Sequence, residues 1–174
     1  ISDPAAPTKV YSWLLEKTED DRGNVVLYSY KQENSDNLPI GKPSEVHHKD
    51  GVAPITANRY LKGVLYGNTT MNDATGASAQ LDLVFDYGEH TLHTPAQAST
   101  WGCRQDIYSS FRPGFELRTY RLCRRVLMFH RFSALTPNPY LVRSLDLTYD
   151  ENPRISKLTR VDAVGYEHNG TGYV

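Results

Sequence analysis

Residues 79–87, AQLDLVFDY, alternate without interruption: Ala79, Leu81, Leu83, Phe85 and Tyr87 fall on one side of an extended chain, Gln80, Asp82, Val84 and Asp86 on the other. Successive side chains of a strand point to opposite faces, whereas a helix would mix the two sets. The pattern predicts a strand whose Leu/Phe face is buried and whose carboxylates meet water. Period two recurs along the chain. Tyr11, Trp13 and Leu15 share a face in an expected strand over 9–18, DDRGN at 20–24 reverses direction, and Val26, Tyr28 and Tyr30 alternate on the return over 25–32. Gly23 suits a position of positive φ, and Asp20 or Asp21 can accept nearby backbone N–H groups. Further strands are expected at 60–66, 140–149 and 155–168, the last two joined by DENP at 150–153. The chain is therefore expected to be all-β, an antiparallel meander of long hairpins, with a compact β-sandwich as the alternative. LDLVFD at 81–86 and LDLTYD at 145–150 echo one another, each placed at a strand end.

Two stretches resist this simple rhythm. Residues 33–58 carry Pro39, Pro43, Pro54, Gly41 and Gly51 and read as a long loop. Residues 101–132 hold seven arginines, Arg104, Arg112, Arg118, Arg121, Arg124, Arg125 and Arg131, among large apolar side chains. Split by parity, 115–132 has mixed faces on both sides. Fully extended it would span on the order of 60 Å at about 3.3 Å per residue, so a bend is expected. Such arginines could bind polyanions, with Tyr108, Phe111, Tyr120 and Phe129 available for stacking. Charge decides between the readings: 19 Lys and Arg against 20 Asp and Glu give a formal net charge of −1, which opposes unselective attraction to phosphate. The arginines are expected instead to pair with acidic groups on adjoining strands and to cover apolar surface with their stems. Twelve tyrosines against five phenylalanines also suit strands with half-wet faces. The length fits a single β unit over 1–174. The start at Ile1 suggests a processed chain or a fragment of a larger protein. Its edges show neither a secretory leader pattern nor a membrane-spanning run.

Constellations that could carry chemistry are weak. Cys103 and Cys123 lack metal or C-x-x-C spacing and read as structural thiols or as a disulfide. His47, His48 and Asp50 point apart on an extended segment and read as solvated loop. His90 and His93 with Asp86 and Glu89 read as a turn with exposed imidazoles. Asp82 and Asp86 share a face, as glycoside chemistry would require, yet strand alternation accounts for them. No nucleophile elbow surrounds Ser109 or Ser110, and GNTTMNDATG lacks the spacing of a phosphate loop. No catalytic residue, cofactor or metal ligand is expected.

WLLEKTEDDRGNVVLYSY resembles a strand–turn–strand unit of the tyrosine-aspartate (RHS) repeat family. In order, RYLKGVLYGN, LVFDYGEH, FRPGFELRTYRLCRRVLMFHRF, LVRSLDLTYDENP and LTRVDAVGY resemble the middle region of the B component of bacterial insecticidal toxin complexes. The resemblance implies a curved-sheet segment of a shell, secreted as part of an extracellular toxin complex. It would act non-enzymatically to contain and deliver a cytotoxic cargo polypeptide. Implied partners are the other repeats of the shell, the C component, the enclosed cargo and a translocation channel, without nucleic acid or membrane insertion by this segment. Asp20, Gly23, Tyr28, Tyr30, Asp86, Tyr87, Tyr149 and Asp150 would carry the repeat motif, and Trp101, Arg118, Tyr120 and Arg124 the partner contacts. The family's self-cleaving D-P-x-G motif is missing, since Asp3-Pro4 is followed by two alanines. The runner-up is a carbohydrate- or protein-binding β-domain using the loops at 33–58 and 88–113.

Overall fold

The structure, a computed structural model, describes residues 1–39, 41–48 and 56–174, apart from the side chains at 44, 46 and 47. In chain order the strands are β1 (Ser2–Asp3), β2 (Ala6–Val10), β3 (Lys17–Glu19), β4 (Val25–Gln32), β5 (Arg59–Asn68), β6 (Ala79–Asp86), β7 (Tyr108–Ser110), β8 (Leu117–Thr119), β9 (Arg125–His130), β10 (Tyr140–Glu151) and β11 (Ser156–Gly165). Seven of them form one sheet in the order β11-β10-β9-β6-β5-β4-β3, every pairing antiparallel. Sheet neighbours follow one another in sequence except β6 and β9, between which the β7–β8 hairpin and its flanking loops are inserted. The chain is all-β, with an open meander in place of the alternative sandwich. A 3-10 turn at Pro43–His48 interrupts the expected loop over 33–58. Residue 40 and residues 49–55 lie outside the described residues, and with them Asp50 of the His47–His48–Asp50 trio.

The first hairpin is shorter than the alternation suggests. The N–H groups of Tyr11 and Ser12 donate to the Ile1 carbonyl at 2.9 and 3.2 Å, which diverts the chain before β3. Tyr11, Trp13 and Leu15 therefore stay exposed, Trp13 at 87%. The turn itself is built from side-chain acceptance. Asp20 Oδ1 accepts the N–H groups of Arg22 and Asn24 at 3.0 and 2.8 Å, and Gly23 sits at φ +76°. A Cβ at Gly23 would lie 2.8 Å from Asn72 Oδ1, so both conformation and space call for glycine. Asn68 ties this turn to the next, accepting from Val25 N and donating to the Gly23 carbonyl.

The expected sidedness of 79–87 is reversed. Ala79 is buried, but Leu81, Leu83 and Phe85 are only half-buried, while Asp82, Val84 and Asp86 are buried. Alternation determines which residues share a face, and the covering segments determine which face becomes the interior. Here the core of Val84, Leu127, Phe129 and Leu141 lies on the aspartate side, packed under Leu92, Tyr166 and Tyr173. The carboxylates enter that face because β9 and the residue after it bring Arg125 and Arg131 to meet them.

The arginine-rich segment bends as its length requires. β8 ends at Thr119 and β9 begins at Arg125, with Tyr120 and Arg121 buried in the irregular stretch between. The two aspartate echoes are not equivalent. Asp86 closes β6, whereas β10 runs on to Glu151 and leaves Asp150 exposed opposite Lys157.

Candidate functional site

Two polar assemblies lie where the inserted loops meet the sheet. In the first, Glu33 at the end of β4 forms a two-pronged pair with Arg121. The Arg121 Nε donates to Glu33 Oε2 at 2.9 Å, Nη2 donates to Oε1, and both side chains are fully buried. The Arg121 Nη1 donates to the carbonyls of Trp101 and Gly102 at 3.3 and 3.0 Å, and its guanidinium lies 4.4 Å from the centre of the Trp101 ring. Trp101 in turn packs edge-on against Tyr60 and Tyr87 and donates through Nε1 to Asn34 Oδ1 at 2.7 Å.

Beside this brace, Arg118 pairs with buried Glu45, and the Tyr120 hydroxyl donates to Glu45 Oε2 at 2.8 Å. The Tyr120 N–H donates to the Tyr60 hydroxyl at 3.0 Å. Glu33 and Glu45 thus anchor the first loop to the bend after β8. Burial pushes the phenols of Tyr60 and Tyr120 well above their ordinary range, with Glu45 adding to the effect at Tyr120. Trp101, Arg118 and Tyr120, expected as partner contacts, therefore lie inside the fold, bound to residues of this same chain. Arg124 is one-third exposed and pairs with Glu151.

The second assembly begins at a β-bulge. Ser29 pairs with Gly63 and Tyr30 with Leu61, so Lys62 is the extra residue. Its Nζ donates to the Phe85 carbonyl at 2.8 Å, to Glu89, and to His90 Nε2 at 3.0 Å. Asp86 sets the turn beyond β6, with Oδ1 accepting the N–H groups of Gly88, Glu89 and His90 at 2.7, 3.0 and 3.1 Å. Arg125 Nε donates to Asp86 Oδ2 at 2.8 Å. Burial raises the Asp86 pKa, but these bonds outweigh it and hold the carboxyl below its ordinary value. His90 is buried and only His93 is exposed, in contrast to the expected pair of exposed imidazoles. The cause is the turn at Asp86, which folds His90 back onto the sheet.

Because a lysine ammonium only donates, His90 Nε2 must be the acceptor and the imidazole neutral. Burial lowers the His90 pKa below its ordinary 6.5, as does the Lys62 charge, against upward pulls from Glu89 and Asp86. The folded chain therefore takes up the His90 proton less readily than the unfolded chain. This contribution to stability is complete above pH 6.5 and falls away as the pH drops below it towards the folded-state pKa. The melting temperature is expected to fall between pH 7 and 5, and His90→Gln to flatten that decline. An unaltered pH profile in the variant would refute the assignment. His130, which burial and the Arg143 charge also shift downward, contributes in the same direction.

Among the described residues, six of the seven arginines pair with carboxylates: Arg104 with Asp106, Arg118 with Glu45, Arg121 with Glu33, Arg124 with Glu151, Arg125 with Asp86 and Arg131 with Asp82. Asp82 and Asp86 are thus engaged by arginines, which accounts for their burial. The cysteines are free thiols, and burial pushes the Cys123 thiol up to about 11. Among the described residues, no three His, Cys, Asp or Glu side chains gather as a metal site. Glu33, Glu45 and Lys62 escaped the sequence reading. Glu33 and Glu45 sit in a polar, proline-broken stretch with no periodicity, and only the bulge turns Lys62 inward.

Residues 1–132 match the family described as SpvB, Salmonella virulence plasmid 65kDa B protein. The chain is 38% identical, over 98% of its length, to proteins named Mono(ADP-ribosyl)transferase SpvB from Salmonella typhimurium strain 14028s and Salmonella choleraesuis strain SC-B67, and it spans 30% of their length. The solved N-terminal domain of effector protein SpvB from Salmonella typhimurium strain LT2 superposes with a TM-score of 0.82 at 38% identity, covering 95% of this chain and 54% of that one. The TcdB2–TccC3 complex matches with a TM-score of 0.83 at 37% identity, covering 100% of this chain and 9% of that one. For the Photorhabdus luminescens Tc holotoxin pore the values are 0.83, 38%, 100% and 9%.

These matches bear out a relationship to toxin complexes but place the chain with SpvB, not with the tyrosine-aspartate repeats of the B component's middle region. They also overturn the expected non-enzymatic shell segment, because the curated relatives are named as transferases. The resemblance misled because one β scaffold occurs in proteins of different activity, and a scaffold does not carry a function with it.

Proposed function

Because the chain belongs to the SpvB family of virulence proteins, we propose that it forms part of a secreted virulence protein that transfers single ADP-ribosyl groups to a protein acceptor. The observation that carries this reading is the 38% identity to the transferase SpvB across 98% of the chain. Since the chain spans 30% of those relatives, the activity is assigned to the whole protein. Within it, residues 1–174 act as one β unit whose ion-paired loops hold a rigid platform. Incubating the full-length protein with labelled NAD and a eukaryotic lysate should transfer label to a discrete acceptor as single ADP-ribose units. No transfer under conditions where SpvB itself labels its acceptor would overturn the proposal.

The equally extensive match to TcdB2–TccC3 favours a second reading. Here the protein is extracellular and works with a C-type component and a translocation-channel component. The half-exposed Leu145, Leu158 and Val161 along the β10–β11 edge offer apolar surface suited to protein contact. Co-expression with a TccC3-like chain should then give a stable complex on size-exclusion chromatography, and separate elution of the two chains would rule this reading out.

A further inference from the structure

The turn beyond β11 carries the one Asn-Gly step of the sequence, Asn169-Gly170, and its atoms are arranged for attack of the backbone on the side chain. Asn169, Gly170 and Thr171 are exposed, and Gly170 sits at φ +95°, a conformation open to glycine. The Gly170 N–H donates to His168 Nδ1 at 3.2 Å, so Nδ1 is unprotonated and its lone pair faces the Gly170 proton. Asn169 Oδ1 accepts from Thr171 N at 3.1 Å, Thr171 Oγ1 at 2.9 Å and Gly172 N at 3.0 Å. These donors draw electron density from the side-chain carbonyl and are in place for negative charge that grows on its oxygen.

His168 is itself held in position. Its backbone N–H donates to the Tyr140 hydroxyl at 2.7 Å, and its ring lies edge-on to Tyr173 with 5.0 Å between centres. Asn68 provides an internal contrast. Its amide nitrogen donates to the carbonyls of Gly23 and Thr70, and the N–H of the following Thr69 donates to the Ser78 carbonyl, not to a base.

We propose that Asn169 is a site of self-catalysed deamidation, with His168 as the base. As the Gly170 nitrogen attacks Asn169 Cγ, its proton passes to His168 Nδ1. The new N–Cγ bond closes a succinimide, the bond from Cγ to the amide nitrogen breaks, and that nitrogen leaves as ammonia with the proton from His168. Water then opens the succinimide to aspartate or isoaspartate. Isoaspartate adds a methylene to the main chain of the turn that seats Tyr173, whose hydroxyl accepts from Leu141 N at 2.9 Å and whose ring packs on the core.

Incubation of the full-length protein at neutral pH, followed by peptide mass spectrometry and isoaspartyl methyltransferase labelling, tests the assignment. Conversion is expected at Asn169 and not at Asn68, and faster in the folded protein than in a peptide of residues 166–174. His168→Phe keeps a ring against Tyr173 but removes the base, and should slow conversion by about tenfold or more. Retained melting cooperativity verifies that this variant folds. Slower conversion in the folded protein than in the peptide would show that the turn protects Asn169 and would overturn the proposal, as would an unchanged rate in folded His168→Phe.

Discussion

Arg121→Met is expected to destabilise the chain by about 3–5 kcal/mol, because it leaves Glu33 buried with no counter-charge. Both members of the pair are fully buried, so solvent cannot take over either charge. The loss reaches further than one bond. Arg121 also satisfies the carbonyls of Trp101 and Gly102, which fixes the covering loop to the bend before β9. Glu33 retains the N–H groups of Asn34 and Ser35 as donors, but these neutral bonds do not neutralise it. Urea denaturation followed by circular dichroism measures the effect. The double variant Glu33→Leu with Arg121→Met should recover much of the loss, since removing both charges also removes the desolvation cost. A single-variant loss below about 1 kcal/mol, where exposed ion pairs fall, would show that the pair is not sealed from water.

Trp101→Ala should cost a comparable amount, about 3–5 kcal/mol, as expected for emptying a fully buried indole site. Trp101 is completely buried and is shared by four neighbours: the edges of Tyr60 and Tyr87, the Arg121 guanidinium, and Lys31 with its Nζ 4.0 Å from the ring centre. Trp101→Phe would keep part of the packing but leave Asn34 Oδ1 without its indole donor, so an intermediate loss is expected. Fluorescence offers an independent readout. The chain has two tryptophans, and Trp13 is already exposed, so the spectral shift on unfolding should come almost wholly from Trp101 and vanish in the alanine variant. A shift that survives would show that Trp13 is covered.

Legibility in the sequence followed the range of the interaction involved. The Asp20–Gly23 turn could be read because its hydrogen bonds span two to four residues. The strand at β6 could be read because its period is local. The pairing of the arginines with acidic partners was foreseeable from charge balance, but the identity of each partner was not. Arg121 and Glu33 are 88 residues apart, and Arg118 and Glu45 are 73 apart. Nothing in the local pattern around Glu33 or Glu45 distinguishes a buried carboxylate from a solvated one. The bulge beside Gly63 was hidden for a similar reason, since a single glycine in RYLKGVLYGN does not reveal that its neighbour Lys62 is the bulged residue.

By itself the sequence determined the all-β character, most strand positions, the turn chemistry and the need for a break within 115–132, all consequences of backbone periodicity and local hydrogen bonding. Tertiary structure alone decided which face of β6 became the interior. Parity sorts side chains into two sets, but only the covering loop and the arginines arriving from β9 could make burial of Asp82 and Asp86 favourable. It likewise decided that Trp101 and Arg121 would join the brace and not a surface, because the charge of buried Arg121 is balanced by a carboxylate brought from the far end of β4.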